Sequence, residues 1–102
     1  MNLDGKGLSR VPDAVTELSE VEDLILKDNN LTELPTSINK LNRLRYLYLD
    51  GNNLTELPAE IGDLKKLKGL SVSGNPLTVD AIHLALKLEK RGLSTDFAGE
   101  DK

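Results

Sequence analysis

Along the chain, apolar residues form short alternating stretches, each followed by a more widely spaced set. The segment "DLILKD" (23–28) alternates Leu24 and Leu26 with Ile25 and Lys27, and "RYLYLD" (45–50) alternates Leu47 and Leu49 with Tyr46 and Tyr48. A period of two puts neighbouring side chains on opposite faces of an extended backbone, so both segments predict short strands with leucines on one face. After the strand, apolar residues recur three and four apart, as in Leu54, Leu57, Ile61 and Leu64. That spacing predicts a turn-rich or helical return with one apolar side.

The whole unit recurs every 23 residues. Residues 21–43 read "VEDLILKDNNLTELPTSINKLNR" and residues 44–66 read "LRYLYLDGNNLTELPAEIGDLKK". Residues 67–79, "LKGLSVSGNPLTV", begin a further copy that then diverges, and residues 1–20 hold an N-terminal partial copy. In that partial copy Leu3, Leu8, Val11, Pro12, Val15 and Leu18 precede Leu26, Leu31, Leu34, Pro35, Ile38 and Leu41 by one period. A coil with an apolar interior cannot bury itself alone. Stacked coils can, by building a parallel sheet on one side and a continuous leucine core within. Each buried leucine contributes about 1.5–3 kcal/mol against roughly 1–2 kcal/mol of backbone ordering per residue, so a single coil is marginal.

The pattern L-x-x-L-x-L-x-x-N-x-L, followed by x-x-L-P-x-x-I-x-x-L, resembles the leucine-rich repeat family over about residues 2–79. Its repeat length is similar to that of the subclass found in Ras-suppressor-like, plant Ras-group and bacterial repeat proteins. The resemblance implies an α/β solenoid: a short curved stack with a parallel β-sheet on the concave face and irregular or helical turns on the convex face. It also implies that Asn29, Asn52 and Asn75, which recur at one point of each copy, point inward at the turn after the strand. There an amide can both donate to and accept from backbone of its own and the adjacent coil, which is a structural role.

The two ends depart from the pattern. Lys6 stands where the first copy would carry its Asn, and Asn2 and Asp4 flank Leu3 in a short polar strand suited to blunting a sheet edge. At the other end "TVDAIHLALKLEKRG" (78–92) predicts a capping helix over 79–91. Thr78 is its N-cap, Asp80 suits the first turn, Lys87, Lys90 and Arg91 suit the last, and Gly92 stops it. Val79, Ile82, Ala85 and Leu86 are expected to face the last coil, with Leu84 and Leu88 widening the stripe. Leu93 follows Leu70 by one period, which suggests a final strand over 93–97 beside Leu70–Val72, with a frayed tail as the competing expectation. A single domain over 1–97 and a disordered tail over 98–102 follow.

Composition narrows the function. The chain of 102 residues carries 21 leucines, one Phe and no Trp or Cys, so one packing solution is reused and thiolate chemistry is absent. A net charge of −4 gives no basic footprint, and nucleic acid is not an expected partner. No apolar run approaches a signal peptide or a membrane span, so no membrane association is expected and the setting is expected to be cytoplasmic. The triplets Asn30-Leu31-Thr32 and Asn53-Leu54-Thr55 match a glycosylation acceptor pattern, but they recur because the repeat does.

No phosphate loop, dinucleotide fingerprint or EF-hand spacing is present, and His83 is a lone histidine without a ligand set. No enzyme activity, cofactor or metal is expected. What remains is the outward face of the predicted sheet. There Ile25, Tyr46 and Tyr48 form an apolar-aromatic centre, with Asp4, Asp23, Lys27, Asp50 and Ser71 around it. Such a centre with a polar rim has the anatomy of a protein interface, so these eight residues are the candidate site for a protein partner. Tyr and Ile also favour strands for conformational reasons, and exposed filler is the competing reading. A homodimer through the strand edge at Gly69–Ser73 or through the tyrosine face, and a recognition domain of a larger signalling protein, stay open as alternatives.

Overall fold

The computed structural model describes residues 1–96; the tail expected over 98–102, and Phe97 of the expected last strand, lie outside these. The described strands are β1 (Asp23–Ile25), β2 (Tyr46–Tyr48), β3 (Gly69–Ser71) and β4 (Ser94–Asp96). They pair in chain order into one parallel sheet. The chain returns between them through 3₁₀ helices at Thr36–Lys40 and Ala59–Asp63 and through helix α2 (Val79–Lys90), while the short helix α1 (Asp13–Thr16) precedes β1. Leu24, Leu47 and Leu70 stand in register across the first three strands. With Leu26, Leu31, Ile38, Leu41, Leu44, Leu49 and Leu54 they fill a continuous buried interior.

The Asn2 bridge and strands β1, β2 and β3 are each followed by a tight left-handed turn, at Gly5, Asp28, Gly51 and Gly74, with φ of 60°, 57°, 71° and 74°. Asp28 is the non-glycine of the set, and a short polar side chain tolerates this conformation better than a bulky one. Its carboxylate lies over the next turn, where a Cβ on Gly51 would collide with Asp28 Oδ1. Gly51 is therefore required twice, for its backbone angle and for its missing side chain.

At the first edge, the partial copy makes a single bridge, Asn2 to Ile25, instead of a full strand. Leu3 N donates to Ile25 O at 2.7 Å and Ile25 N to Met1 O at 2.9 Å. Asp4 Oδ1 accepts from Lys27 N at 2.8 Å. Asp4 thus closes the edge of the sheet, which commits one oxygen of a residue expected to face a partner.

At the other end Thr78 Oγ1 caps α2 by accepting from Ala81 N at 3.2 Å. Gly92, at φ 101°, ends it with Gly92 N on Glu89 O and Leu93 N on Leu88 O at 2.9 and 3.2 Å. Two expectations for this region are corrected. First, the helix is rotated about its axis. Ala81, Ala85 and Leu88 are buried, while Val79 is 66% exposed and Leu86 41% exposed. The buried set runs i, i+4, i+7, the spacing of a single helix face, and two of its three members are alanines.

Second, the strand register does not keep the repeat. Ser94, not an earlier residue, pairs with Gly69, and Thr95 pairs with Leu70. The third coil, from 69 to 94, is two residues longer than the repeat, and Leu93 falls before the strand instead of inside it. An α-helix advances 1.5 Å per residue against about 2.0 Å for a 3₁₀ helix, so a helical return needs more chain to make the same crossing. Because the excess is even, the inward and outward faces of β4 are preserved. Helix α2 therefore fills the return path of a third coil, and the strand that follows it is the outermost of the described strands.

Candidate functional site

Two sets of polar residues sit at the strand ends, and the geometry separates their roles. Below the sheet, Asn52 is 4% exposed. Its Nδ2 donates to Leu49 O at 2.9 Å in its own coil and to Leu26 O at 3.0 Å in the preceding one. Its Oδ1 accepts from Leu31 N at 3.1 Å. Asn75 repeats the arrangement on Leu49 O, Val72 O and Leu54 N. Asn29 does so on Leu3 O, Leu26 O, Lys6 N and Leu8 N, which satisfies the partial copy that has Lys6 in place of its own Asn. Each amide ties two coils together and removes buried backbone groups from want of a partner.

Above the sheet, the parallel register places the expected site residues in three rows. Asp23, Tyr46, Gly69 and Ser94 share the first, and Ile25, Tyr48, Ser71 and Asp96 the second. Lys27 and Asp50 follow at the strand ends. Tyr46 and Tyr48 are half-buried, with ring centroids 6.5 Å apart and planes 21° from parallel. Lys27 Nζ lies 5.3 Å from the Tyr48 ring centre, and Arg45 Cζ lies 5.8 Å from that of Tyr46. Both are cation–π contacts with the negative face of the ring. Asp50 is less available than its position suggested. Its Oδ2 accepts from Ser71 Oγ at 2.5 Å and Ser73 Oγ at 2.7 Å, and its Oδ1 is buried without a hydrogen-bond partner.

The tyrosine at 46 leans over the next strand. A Cβ on Gly69 would stand 2.8 Å from Tyr46 Cδ1, so the glycine of β3 is what lets the ring lie down on the sheet. A cleft of about 240 Å³ opens beyond the ring, lined by Tyr46, Tyr48, Gly69, Ser71, Ser94 and Asp96 among others. Ser94 and Asp96 were not among the expected site residues. A strict 23-residue register puts Leu93 in the strand, and only the length of α2 could have signalled the shift.

A family model described as Leucine rich repeat matches residues 1–54 and again 19–77. The chain belongs to the leucine-rich repeat family. A leucine-rich repeat protein of Leptospira interrogans is similar to it, at 35% identity and a TM-score of 0.79, covering 87% of this chain and 22% of that one. The leucine-rich repeat domain of the type III effector XopL is also similar, at 32% identity and a TM-score of 0.69, covering 76% of this chain and 26% of that one. The chain thus spans about a quarter or less of the length of these solved chains. No curated protein matches it.

Proteins of this leucine-rich repeat family are generally interaction modules, typically without enzymatic activity. Among the described residues no group of His, Cys, Asp or Glu is placed to hold a metal ion, and no helix is long and apolar enough to cross a membrane. His83 is exposed on α2, away from the sheet face.

Proposed function

We propose that this leucine-rich repeat domain binds a protein partner on the concave face of its sheet, with Tyr46 and Tyr48 as the centre of the contact. The observation that carries this reading is the stacked tyrosine pair at the mouth of a cleft on the outward face of the sheet. Aromatic side chains with a polar surround are the residues that dominate binding energy at interfaces. Ile25 lies beside Tyr48 in the register and extends the apolar centre. Asp23, Lys27, Asp50, Ser71 and Asp4 form its polar margin, with Asp50 and Asp4 acting partly through bonds to the sheet itself.

The test is capture of a partner from lysate by the wild type and by the Tyr46→Ser, Tyr48→Ser variant. Loss of the captured protein, with a cooperative melt retained, is expected. Undiminished capture by the variant would remove the tyrosines from the interface.

Self-association is the weaker reading. Of the segment Gly69–Ser73, expected as a free strand edge, Gly69–Ser71 pairs with β4. Among the described residues the outer strand, β4, is three residues long and carries Asp96, and a short charged edge discourages strand addition. Light scattering across concentrations checks this, with a constant monomer mass expected.

A further inference from the structure

We infer that the turns leading into β2, β3 and β4 form a basic edge that binds a short acidic segment of a protein partner. This surface is distinct from the tyrosine face and does not rest on the reading above.

The edge follows from the leucine spacing. In each coil the chain passes from the convex side into the next strand through a six-residue turn. These turns read "ELSEVE" (17–22), "KLNRLR" (40–45), "DLKKLK" (63–68) and "LEKRGL" (88–93). Leu41, Leu44, Leu64 and Leu67 are buried, which leaves Arg43, Arg45, Lys65, Lys66 and Lys68 exposed between them. Backbone bonds hold the turns side by side. Arg45 N donates to Glu22 O at 2.7 Å, Lys68 N to Arg45 O at 2.7 Å, and Ser94 N to Lys68 O at 2.8 Å.

Charge is divided unevenly among these turns. The last three hold eight of the chain's 13 Lys and Arg and two of its 17 Asp and Glu, a net of +6 in a chain of −4. The first carries three Glu and no cation. The coil does not require either sign, because Glu20, Arg43 and Lys66 share one position of the repeat and Glu22, Arg45 and Lys68 share another. Yet Arg43 sits one coil from Lys66, and Arg45 one coil from Lys68, at a spacing of about 4.8 Å where like charges repel. The ion pairs of Lys40 with Glu17 at 2.8 Å and of Arg45 with Glu22 at 3.4 Å both lead back to the first coil. Asp63 and Glu89, the carboxylates within the basic turns, accept from Asn39 and Thr95. Among the described residues Arg43, Lys65, Lys66 and Lys68 have no ion pair. Repulsion that the fold neither needs nor neutralises is relieved when an anionic segment lies across it.

The patch is bounded, and its bounds select the partner. Outside the three turns the chain is net −10, and the glutamates at 17–22 close one end, so a long polyanion such as a nucleic acid would run from attraction into repulsion. None of the exposed large hydrophobics, Met1, Leu18, Val79 and Leu86, lies in the basic turns, which leaves no apolar side chain there to enter a bilayer. Three coils span about 10 Å, which an extended chain crosses in about three to four residues. A run of about four to six Asp or Glu therefore covers the patch and its margins.

The test is a titration of fluorescein-labelled hexa-glutamate with the full chain at low salt, read by anisotropy. Saturable binding that weakens as salt is added is expected, with none for hexa-lysine. The Arg43→Gln, Lys66→Gln, Lys68→Gln variant should bind about tenfold more weakly or worse, and should melt no lower than wild type because like-charge neighbours are removed. The Lys6→Gln, Arg10→Gln, Lys87→Gln variant loses the same charge from exposed positions outside the edge and should stay within about twofold of wild type. Equal weakening in both variants would show a response to net charge only and overturns the inference, as does no binding of hexa-glutamate. Tighter binding of a labelled DNA duplex or of phosphatidylglycerol vesicles, lost in the first variant, assigns the edge to nucleic acid or membrane and overturns it as well. The Tyr46→Ser, Tyr48→Ser variant should keep its hexa-glutamate binding even where it loses a captured partner, so the two surfaces fail separately. Loss of hexa-glutamate binding in that variant would move the anion site to the tyrosine face and overturn the edge.

Discussion

Asp50 and Asn52 lie two residues apart at the end of one strand, and they show how the inside and the outside of this solenoid differ. Asn52 is buried, bonded to the backbone of its own coil and of the preceding one, and repeated at 29 and 75 with partners at the equivalent positions. Asp50 makes two serine contacts that no other coil reproduces and leaves one buried oxygen without a partner. Below the sheet every coil faces a copy of itself, so one solution satisfies all of them. Above the sheet the neighbours are Lys27, Asp50 and Ser73, chemically unlike one another, and the contacts are particular to the pair of coils that makes them.

That contrast orders the expected effects of substitution. Leu47→Ala, deep in the repeated interior at 0% exposure, should cost about 2–5 kcal/mol in chemical denaturation, since neighbouring coils cannot close the cavity independently. Asn52→Ala should cost about 1–3 kcal/mol, because Leu31 N and Leu26 O lose their buried partner; an unchanged midpoint would place the ladder outside the stabilising set.

Gly69→Ala should cost about 1 kcal/mol and move the Tyr46 ring, visible as altered tyrosine emission, because the added methyl meets the ring. Asp50→Asn should cost about 0.5–1 kcal/mol, because the serine bonds can be kept but lose their charge and the amide nitrogen takes the place of an oxygen that had no partner. A loss as large as that for Asn52 would erase the distinction between the two faces.

Least of all should come from the convex surface. The bond from Lys40 Nζ to Glu17 Oε2, 2.8 Å long, raises the lysine's pKa above its ordinary 10.5, with Glu17's charge adding to it. A raised pKa contributes stability that is complete below about 10.5 and declines only as pH rises through the folded value. Lys40→Ala should therefore leave the melting profile from pH 6 to 9 parallel to wild type, displaced little because the pair is exposed.

Much of this was legible from residue order alone. The alternation of Leu24 and Leu26 with Ile25 and Lys27 gave the strand and its two faces, and Asn29, Asn52 and Asn75 marked the turns they bracket. The N-cap at Thr78 and the stop at Gly92 were equally readable, because both act within a turn of helix. The buried face of α2 was not. Val79 and Leu86 are as apolar as a core position asks, yet the face that turns inward is the one that carries Ala81, Ala85 and Leu88. Asp4 and Asp50 were read by position as surface charges, and each turned out to bond across to the next coil.

Sequence by itself determined the coil, its period, the leucine interior and the side on which the tyrosines emerge, because these depend on spacing within a few residues and are then enforced by repetition. The tertiary structure decided the length of the third coil, the pairing of Ser94 and Asp96 beside Gly69 and Ser71, and the resting of Tyr46 on Gly69. Those join residues 23 or 25 positions apart through the rise of a helix and the room left by a missing side chain. Both are distances in space, and no local pattern encodes them.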